Sequence, residues 1–403
     1  MDHLLATRLG AVKASPSMAA KSRVDALRAA GRSIIDFTIG EPDFPTPPHI
    51  VTAGINALKA GHTRYTGSAG TPALRAAIAE KLARENGLTY APDHIVVGNG
   101  AKHIIYNAFA ATLNDGDEVI IPTPYWVSYP DMVAINGGTS VIVPCDASTG
   151  FKLTPEALEK SITARTRWLI LNTPNNPTGA VYSETELRAL CEVLVRYPQV
   201  WLMTDEIYEH FLYAGARHIS PLQVAPTLAC RTLVVNGVSK AYAMTGWRIG
   251  YGAGPRSLTN AIALLISQST TCPNAMSQTA AVIALTGPQD CVKEASDLFA
   301  ARRDHMGSLL NDIPGIDCMM PDGAFYVFPS VAGLVGKATP QGTVLKSDVD
   351  VMTFFLEEAG VATIDGSSYG QSSYIRMSFA TSTEQITLGC RQISAAVSQL
   401  TKQ

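Results

Sequence analysis

The chain has 403 residues, of which 46% are hydrophobic, so it can bury a sizeable core in one large or two ordinary domains. Its 31 basic and 34 acidic side chains leave a net charge of −3, and it has no run of 18 apolar residues, so nothing indicates nucleic-acid binding or a membrane span. The seven cysteines are scattered and form no CxxC pair, which argues against a metal site of the zinc type or a disulfide framework and favours a reducing cytoplasm.

The N-terminal part of the sequence predicts an arm and a helix, at residues 19–30, followed by a short strand. The next stretch, GEPDFPTPP at 40–48, contains four prolines, which exclude regular structure and make a rigid connector. We place a candidate domain junction there. A helix over 49–60 leads to the loop RYTGSAG, after which Thr71 caps and Pro72 opens a further helix.

From residue 95 onward, apolar strands alternate with helices. The strands are mostly continuous apolar runs, which is typical of a parallel sheet covered by helices on both faces. The sequence therefore predicts an α/β fold with a doubly wound sheet. The seven predicted strands are 95–97, 119–121, 140–143, 168–171, 200–203, 232–235 and 248–253.

The last hundred residues differ in character from the central part. Beyond the long helices that follow the sheet, strands at 323–328 and 373–378 flank a helix at 349–359. This pattern predicts a smaller α+β unit that the N-terminal segment completes. The expected division is a large domain over 46–299 and a small domain formed by 1–45 and 300–403.

Ligands of open α/β sheets bind at the carboxyl ends of the strands, so the residues after each strand are the candidate site residues. After the first strand, Gly98 to Lys102 open a helix whose N-terminus can bind a phosphate, although an ordinary tight turn is the alternative. After the second strand, Trp126 could stack on a flat cofactor ring or belong to the core. After the fourth strand, the rigid turn NTPNNPTG at 172–179 presents asparagine side chains.

Charged residues follow the later strands. Asp205 ends an apolar strand, where a carboxylate needs a charged partner such as a protonated pyridine nitrogen, and Tyr208 could donate to the phenolic oxygen of such a ring. Lys240 lies in a tight turn, where burial would keep part of its amine neutral and able to form an imine with an aldehyde. Arg248, eight residues further on, offers a fork for a phosphate. Arg376 lies within an apolar strand and needs an anion, such as a carboxylate.

Each of these charged residues also has a simpler interpretation. Asp205 could be a solvated loop acid, Lys240 and Arg248 could be two surface cations, and Arg376 could form an internal salt bridge. A lysine that can form an imine, combined with a phosphate anchor, nevertheless suggests pyridoxal 5′-phosphate (PLP) as the cofactor.

Five motifs occur in a fixed order along the chain: GEPDF, NTPNNPTG, DEIY, SKAYAMTGWRIGY and YIRMSF. Together they resemble the PLP-dependent aminotransferases of fold type I (class I/II), and within them the aspartate aminotransferase family, over nearly the whole chain from Ser17. The resemblance implies a large PLP-binding domain with a mainly parallel seven-stranded sheet and a smaller α+β domain. It also implies a homodimer with shared active sites.

The resemblance implies a role for each candidate residue. Lys240 would hold PLP and move the proton, and Asp205 would pair with the pyridine nitrogen. Arg376 would bind the substrate α-carboxylate, and Tyr65 would reach the phosphate of the neighbouring subunit. The resemblance also implies that Asn176 and Tyr208 contact the phenolic oxygen of the cofactor and that Trp126 stacks on its ring. The residues implied to contact the phosphate are Gly100, Ala101, Lys102 and Arg248. The further residues implied to contact the substrate are Gly40, Trp126, Asn176 and Lys102.

Two features depart from the family pattern. Gly237 stands three residues before the lysine, where many members have a serine near the phosphate. The stretch 264–274 contains no arginine, although one branch uses an arginine from the partner subunit for the distal group of a dicarboxylate. A second branch uses the lysine of a GGK-type loop, which Lys102 matches, but His103 stands where that branch often has glutamine.

The expected activity is amino-group transfer between an amino acid and a 2-oxo acid by a ping-pong mechanism. Aspartate or glutamate, with 2-oxoglutarate or oxaloacetate, are the expected substrates. An aminotransferase with aromatic or broad specificity and a PLP-dependent lyase on the same fold are the alternatives. A PLP-binding regulator is disfavoured, because about 40 residues before GEPDF leave no room for a DNA-binding helix-turn-helix domain.

Overall fold

The computed structural model describes residues 5–12 and 16–402, with backbone alone for 16–19 and 402. None of the helices in this part of the chain is long and apolar enough to cross a membrane. These helices are α1 (Pro16–Ala29), α2 (Pro48–Lys59), α3 (Pro72–Asn86), α4 (Ala101–Thr112), α5 (Ser128–Ile135), α6 (Pro155–Ser161), α7 (Glu184–Val195), α8 (Pro221–Val224), α9 (Arg256–Ser269), α10 (Ala275–Thr286), α11 (Asp290–Asn311), α12 (Asp348–Glu357) and α13 (Thr383–Val397). The strands are β1 (Ile35–Asp36), β2 (Ile95–Gly98), β3 (Glu118–Pro122), β4 (Thr139–Val143), β5 (Thr166–Asn172), β6 (Trp201–Asp205), β7 (Thr232–Gly237), β8 (Gly250–Ala253), β9 (Tyr326–Val327), β10 (Lys337–Ala338), β11 (Val361–Ala362), β12 (Ile364–Asp365), β13 (Ile375–Ser378) and β14 (Thr401–Lys402).

The seven strands β2 to β8 form one sheet, which confirms the predicted fold class. Their order is β2-β8-β7-β6-β5-β3-β4. Neighbouring strands are parallel, except that β8 runs antiparallel to both β2 and β7. The carboxyl ends of six strands therefore lie at one edge, together with the amino end of β8, where Gly250 pairs with both Gly98 and Gly237.

Helices cover both faces of this sheet, which explains the continuous apolar strands. In β7, Leu233 and Val235 pack against the layer that contains α4, α5 and α9, whereas Val234 packs against the layer of α3, α7 and α10. In β2, Val96 faces the first layer and Val97 the second. Because every residue of such a strand removes apolar surface from water, the sheet is strongly stabilised.

A second body of structure joins the two ends of the chain. β1 pairs in parallel with β11, with Ile35 opposite Val361, and β12, β13 and β9 form a three-stranded antiparallel sheet. Helices α11, α12 and α13 share one apolar cluster with Phe37 and these strands. The connector at 40–47 forms neither helix nor strand, in keeping with its prolines. Helix α11 is continuous across residue 300, where the sequence places a domain boundary, and the division into two domains stays a prediction.

Three predicted strands are too long, and each contains a residue with a left-handed backbone. The strand predicted from residue 373 begins at Ile375, because Ser373 has a backbone φ of 67°. The strand predicted from residue 248 begins at Gly250, because Arg248 has a backbone φ of 58°, outside the β region. The strand predicted from residue 323 is reduced to Tyr326–Val327, because Ala324 also has a φ of 58°. Residue types alone do not reveal these left-handed conformations.

Candidate active site

An open cavity of about 490 Å³ lies at the sheet edge where β5, β6 and β7 end. Its wall combines the residues that follow these strands with the proline-rich connector, the start of α4 and β13. Of the twelve residues predicted from the sequence, Gly100 and Tyr65 do not line this cavity. The ten that line the cavity are Gly40, Ala101, Lys102, Trp126, Asn176, Asp205, Tyr208, Lys240, Arg248 and Arg376.

Lys240 follows β7 and reaches the connector, where its Nζ donates a hydrogen bond to the backbone oxygen of Gly40 at 2.5 Å. Burial lowers the pKa of the Lys240 amine to about 8. The positive charges of Arg376 and Arg248 act in the same direction, and Glu41 opposes them. Part of the amine is therefore neutral near pH 7, which a nucleophile or general base requires.

Asp205 ends β6 beneath the cavity and is 4% exposed. Its Oδ2 accepts a hydrogen bond from the Tyr129 hydroxyl at 2.7 Å, and its Oδ1 accepts one from the backbone N–H of Ile207 at 3.3 Å. Burial raises the pKa of the Asp205 carboxyl to about 6, although both donors favour the ionised form. A cationic ring nitrogen would provide the counter-charge that such a carboxylate needs.

Tyr208 and Asn176 stand at neighbouring strand ends. The Tyr208 hydroxyl shares a hydrogen bond with the hydroxyl of Tyr326 at 2.9 Å. Burial raises the pKa of Tyr208 well above its ordinary value, so this phenol stays protonated and can donate. The backbone N–H of Asn176 donates to Oδ1 of Asn172 at 2.8 Å, which anchors the NTPNNPTG turn to the end of β5.

The start of α4 and Arg248 together form a cradle for an anion. The Arg248 guanidinium donates to the backbone oxygens of Thr245 at 2.8 Å and Asn99 at 3.2 Å. Helix α4 begins at Ala101, and its N-cap Gly100 has a φ of 86°. A Cβ at Gly100 would lie 2.4 Å from Nη2 of Arg248, so only glycine allows this approach. The first N–H groups of the helix and the guanidinium thus suit a phosphate.

Arg376 is buried in β13, and no acidic residue among 5–12 and 16–402 pairs with it. Its Nη2 donates to the Thr38 backbone oxygen at 2.6 Å, and its Nη1 donates to Oδ1 of Asn176 at 3.3 Å. The guanidinium carbon lies 4.5 Å from the ring centre of Tyr326. Within the same described residues, Nε has no hydrogen-bond partner. This environment argues against an internal salt bridge and leaves a desolvated cation that can bind a carboxylate.

Lys102 and Trp126 lie together on the cavity wall. The Lys102 Nζ is 4.6 Å from the centre of the Trp126 ring, which in turn meets the Tyr129 ring edge-on at 5.3 Å and 88°. His103 does not line the cavity in the described part of the chain, and its Nδ1 accepts a hydrogen bond from the backbone N–H of Asn99 at 3.2 Å. The lysine is therefore available to a ligand, whereas His103 stabilises the loop.

The cavity also contains polar residues that the sequence does not predict, among them Thr38, Tyr129, Ser239 and Tyr326. Tyr129 follows Trp126 by three residues at the start of α5, so helical spacing is a usable signal for it. Ser239 directly precedes the lysine. Thr38 and Tyr326 come from distant parts of the chain, and nothing in their local pattern brings them to this edge.

Tyr65 and Gly237 have no direct part in the cavity wall. Tyr65 is 85% exposed, and its contact with a neighbouring subunit stays a prediction. Gly237 ends β7, where a Cβ would lie 2.9 Å from the backbone oxygen of Ile249 and 3.0 Å from Cα of Gly250. The close approach of β8 therefore gives a physical reason for a glycine in place of the expected serine.

Comparison with known proteins identifies the family. Residues 32–393 match the model for aminotransferase class I and II. The chain is 50% identical to an aspartate/prephenate aminotransferase of Cereibacter sphaeroides, covering 97% of this chain and 98% of that protein. Its structure is similar to the aspartate aminotransferase of Rhizobium meliloti (50% identity, TM-score 0.96, 98% and 99% covered) and to that of Thermus thermophilus with maleate (41% identity, TM-score 0.91, 97% and 99% covered). The chain belongs to the class I and II aminotransferase family and is a fold type I transaminase.

Proposed function

We propose that this transaminase uses PLP and moves an amino group between aspartate or glutamate and 2-oxoglutarate or oxaloacetate. One observation carries the proposal: three cations in different environments, Lys240, Arg376 and Lys102, line the same cavity. A lysine of lowered pKa suits a covalent bond to an aldehyde, a buried guanidinium suits one carboxylate, and an exposed ammonium suits a second. Dicarboxylic amino acids present that pair of carboxylates.

The donor set of the cavity fits PLP. When bound, PLP supplies an aldehyde that links to amines and a ring that withdraws electrons from the substrate Cα. Lys240 would hold the aldehyde end, Asp205 the ring nitrogen, and the first turn of α4 with Arg248 the phosphate. The crowding of Gly100 against Arg248 supports this assignment, because a side chain at that position would fill the phosphate cradle.

Side chains of the protein would carry out the acid–base steps. Lys240, with a pKa of about 8, would take the proton from Cα of the bound amino acid and return it later. Asp205, held by two hydrogen bonds, would keep a proton on the ring nitrogen. Tyr208, whose pKa is raised by burial, would remain a donor to the phenolic oxygen of the cofactor, beside Asn176.

Two cations would recognise the substrate. Thr38 and Asn176 orient the fork of Arg376, which would bind the α-carboxylate. Lys102 would bind the distal carboxylate, since the stretch 264–274 contains no arginine. An ammonium binds as a point charge with less strict geometry than a guanidinium. We therefore expect some activity with aromatic amino acids. Their side chains carry no distal carboxylate, so the Lys102 ammonium would stay hydrated when they bind.

Replacing Lys102 by alanine tests the dicarboxylate assignment. Loss of a charge-assisted contact worth about 1.5–3 kcal/mol predicts that kcat/KM for aspartate falls about ten- to a hundred-fold more than kcat/KM for phenylalanine. Half-reactions with each amino acid, followed through the cofactor absorbance, give both constants.

Lys21→Ala is the matched control for Lys102→Ala. Lys21 is a second exposed lysine that lines the same cavity, where it pairs with Asp25, and its loss should leave the ratio of the two constants unchanged. If Lys102→Ala lowers both constants by similar factors, Lys102 serves the phosphate or the fold, and the dicarboxylate assignment loses its main support.

Prephenate is a second candidate acceptor, because a relative at 50% identity is named an aspartate/prephenate aminotransferase. Prephenate is a 2-oxo acid with a second carboxylate. Arg376 and Lys102 could therefore bind its two carboxylates in the way proposed for oxaloacetate. The test is amino transfer from glutamate to prephenate, compared with transfer to oxaloacetate under the same conditions. Absence of transfer to saturating prephenate would restrict the enzyme to the smaller acceptors.

We further propose a homodimer with shared active sites. The exposure of Tyr65, and of large apolar side chains on α2 (Leu58, 56%) and α9 (Leu264, 63%), supports a partner surface.

The seven free cysteines support a reducing compartment such as the cytoplasm. Separate apolar clusters around the central sheet and around α11 to α13 support the division into two domains.

A further inference from the structure

We infer that Tyr129 is a positioning residue, which holds the Asp205 carboxylate in the orientation in which it meets the ring nitrogen of the cofactor. The inference rests on the proposed use of PLP. Tyr129 belongs to α5, is 2% exposed, and lies on the wall of the cavity. Its hydroxyl donates to Oδ2 of Asp205 at 2.7 Å, so it acts on the ligand through a second residue.

The hydrogen bonds of Asp205 leave its carboxylate little freedom to turn. Oδ2 accepts a hydrogen bond from the Tyr129 hydroxyl, and Oδ1 accepts one from the backbone N–H of Ile207 at 3.3 Å. In the described structure these are the two hydrogen bonds that the carboxylate accepts. The bond from Tyr129 is the shorter of the two, so we expect it to contribute more to the orientation.

The ring of Tyr129 supports a second part of the site. It meets the Trp126 ring edge-on, with the ring centres 5.3 Å apart at 88°, and its backbone N–H donates to the Trp126 backbone oxygen at 3.0 Å. The proposed stacking residue and the proposed partner of the ring nitrogen therefore share one support. A change that keeps the ring and removes the hydroxyl separates these two functions.

The electrostatic setting explains why this hydroxyl matters. Asp205 is buried, which raises its pKa to about 6; the neighbouring charge of Glu206 acts in the same direction, whereas the Tyr129 hydroxyl and the charge of Lys240 oppose it. Burial also raises the pKa of Tyr129 well above its ordinary value, so the phenol remains a donor. Without that donor, Asp205 would be a weaker partner for a protonated ring nitrogen.

Tyr129→Phe removes the hydroxyl and keeps the ring. We expect the dissociation constant for PLP, measured by titration of the cofactor-free enzyme, to rise about tenfold or more, since a hydrogen bond to a charged group is lost. In the holoenzyme with PLP labelled with ¹⁵N in its ring, we expect the ¹⁵N resonance to move from the protonated toward the neutral position. A purely structural role for Tyr129 would not move this resonance.

Two further variants give reference values for the PLP affinity and the ¹⁵N resonance. Asp205→Asn removes the carboxylate itself and should give the neutral ring nitrogen. Tyr125→Phe removes a hydroxyl from the same segment without changing a contact of Asp205, and should behave as the wild type. Thermal unfolding of each variant establishes that it is folded.

The outcomes separate the inference from the proposed function. If the wild-type enzyme does not bind PLP, the proposed cofactor is wrong. If the wild type binds PLP with a protonated ring nitrogen and Asp205→Asn shifts the resonance, but Tyr129→Phe matches the wild type in both affinity and resonance, the positioning role of Tyr129 is overturned.

Discussion

Lys240 is half-buried and Arg376 is buried at the cavity, and the loss of contact with water affects the two side chains differently. The amine of Lys240 can lose its proton, and burial lowers its pKa to about 8. The guanidinium of Arg376 stays charged, so it is compensated by a backbone oxygen, an amide oxygen and the faces of aromatic rings. The same physical effect thus makes one residue a potential nucleophile and the other a receptor for an anion.

The lowered pKa of Lys240 predicts a pH-dependent rate of cofactor incorporation. With a pKa of about 8, about a tenth of the amine is neutral at pH 7, against about 1 in 3000 for the ordinary value of 10.5. The rate constant for PLP binding to the cofactor-free enzyme should therefore rise about tenfold from pH 6 to pH 7 and level off above about pH 8. Stopped-flow absorbance measures this rate constant.

Two controls isolate Lys240 in that experiment. Pyridoxal lacks the phosphate, which itself titrates near pH 6, and should give the same midpoint as PLP. The Lys102→Ala variant should also keep the midpoint. A midpoint close to 10 would mean that burial does not shift the pKa of Lys240 in solution.

At the residue scale, the sequence predicts side chains that follow directly from strand ends. Asp205, Lys240 and Asn176 could be placed because apolar runs mark the strands and the carboxyl ends of parallel strands share one edge. Tyr326 could not be placed, since it reaches the cavity from another sheet. The mutual contacts of site residues, such as the bond from Tyr129 to Asp205, depend on tertiary packing that no local pattern encodes.

At the scale of elements, the segment after β6 alternates between two environments. Asp205 and Tyr208 line the cavity, whereas Glu206 and Glu209 are hydrogen-bonded in a buried polar cluster behind it. Lys81 of α3, 1% exposed, donates to Glu209 in this cluster, and Glu209 raises the pKa of Lys81 against the opposing effect of burial. Other members of the cluster are Asn86, Thr204, His218, Ser220 and Asn236.

Lys81→Met should destabilise the protein strongly, because it removes the lysine that pairs with the buried Glu209 carboxylate. Breaking a buried ion pair from one side costs about 3–5 kcal/mol of unfolding free energy. Urea unfolding, monitored by circular dichroism at equal cofactor loading, gives this difference. Lys293→Met is the matched control, since Lys293 forms an ion pair with Asp297 on the surface, where its side chain is 80% exposed. If the two variants lose similar amounts of unfolding free energy, the buried ion pair contributes no more to stability than the surface ion pair.

Gly237→Ala should destabilise the sheet where β7 meets β8. The new Cβ would approach the Ile249 backbone oxygen to 2.9 Å, so the strands must shift, and overpacking of this kind costs about 1–3 kcal/mol. Gly246→Ala is the control, because no atom lies within 4 Å of a Cβ at Gly246. Thermal unfolding measures the stability of both variants. If the Gly237→Ala protein is as stable as the Gly246→Ala control, the packing explanation for a glycine in place of the expected serine is contradicted.

The elements of the large sheet were predictable because apolar layers lie on both of its faces. That arrangement produces runs of three or four consecutive apolar residues, and such runs are visible without a structure. The start of the last strand at Arg248 was predicted wrongly, because the positive φ of this residue cannot be read from its residue type. The strands outside the large sheet are mostly two residues long, which is too short for any periodic signal.

At the scale of the whole molecule, the strand order and the reversal of β8 could not be read from the sequence. Both depend on which strands meet after the chain has folded. The parallel pairing of β1 with β11 likewise joins segments more than 300 residues apart. This pairing brings the connector with Gly40 against Lys240, so the cavity is completed by contacts between the two ends of the chain. The assembly of the site is therefore a property of the complete fold.

Tyr65 supports a test of assembly at the same scale. If each cavity takes Tyr65 from a partner, a mixture of Tyr65→Ala and Lys240→Ala chains should regain activity, because every mixed dimer contains one cavity with both residues intact. Equal amounts with free exchange give about half mixed dimers, and hence about a quarter of the wild-type activity per site. Native mass spectrometry measures the mixed dimers, and turnover of aspartate measures the working sites. If mixed dimers form and activity does not return, each subunit uses its own residues alone, and the exposed Tyr65 has another role.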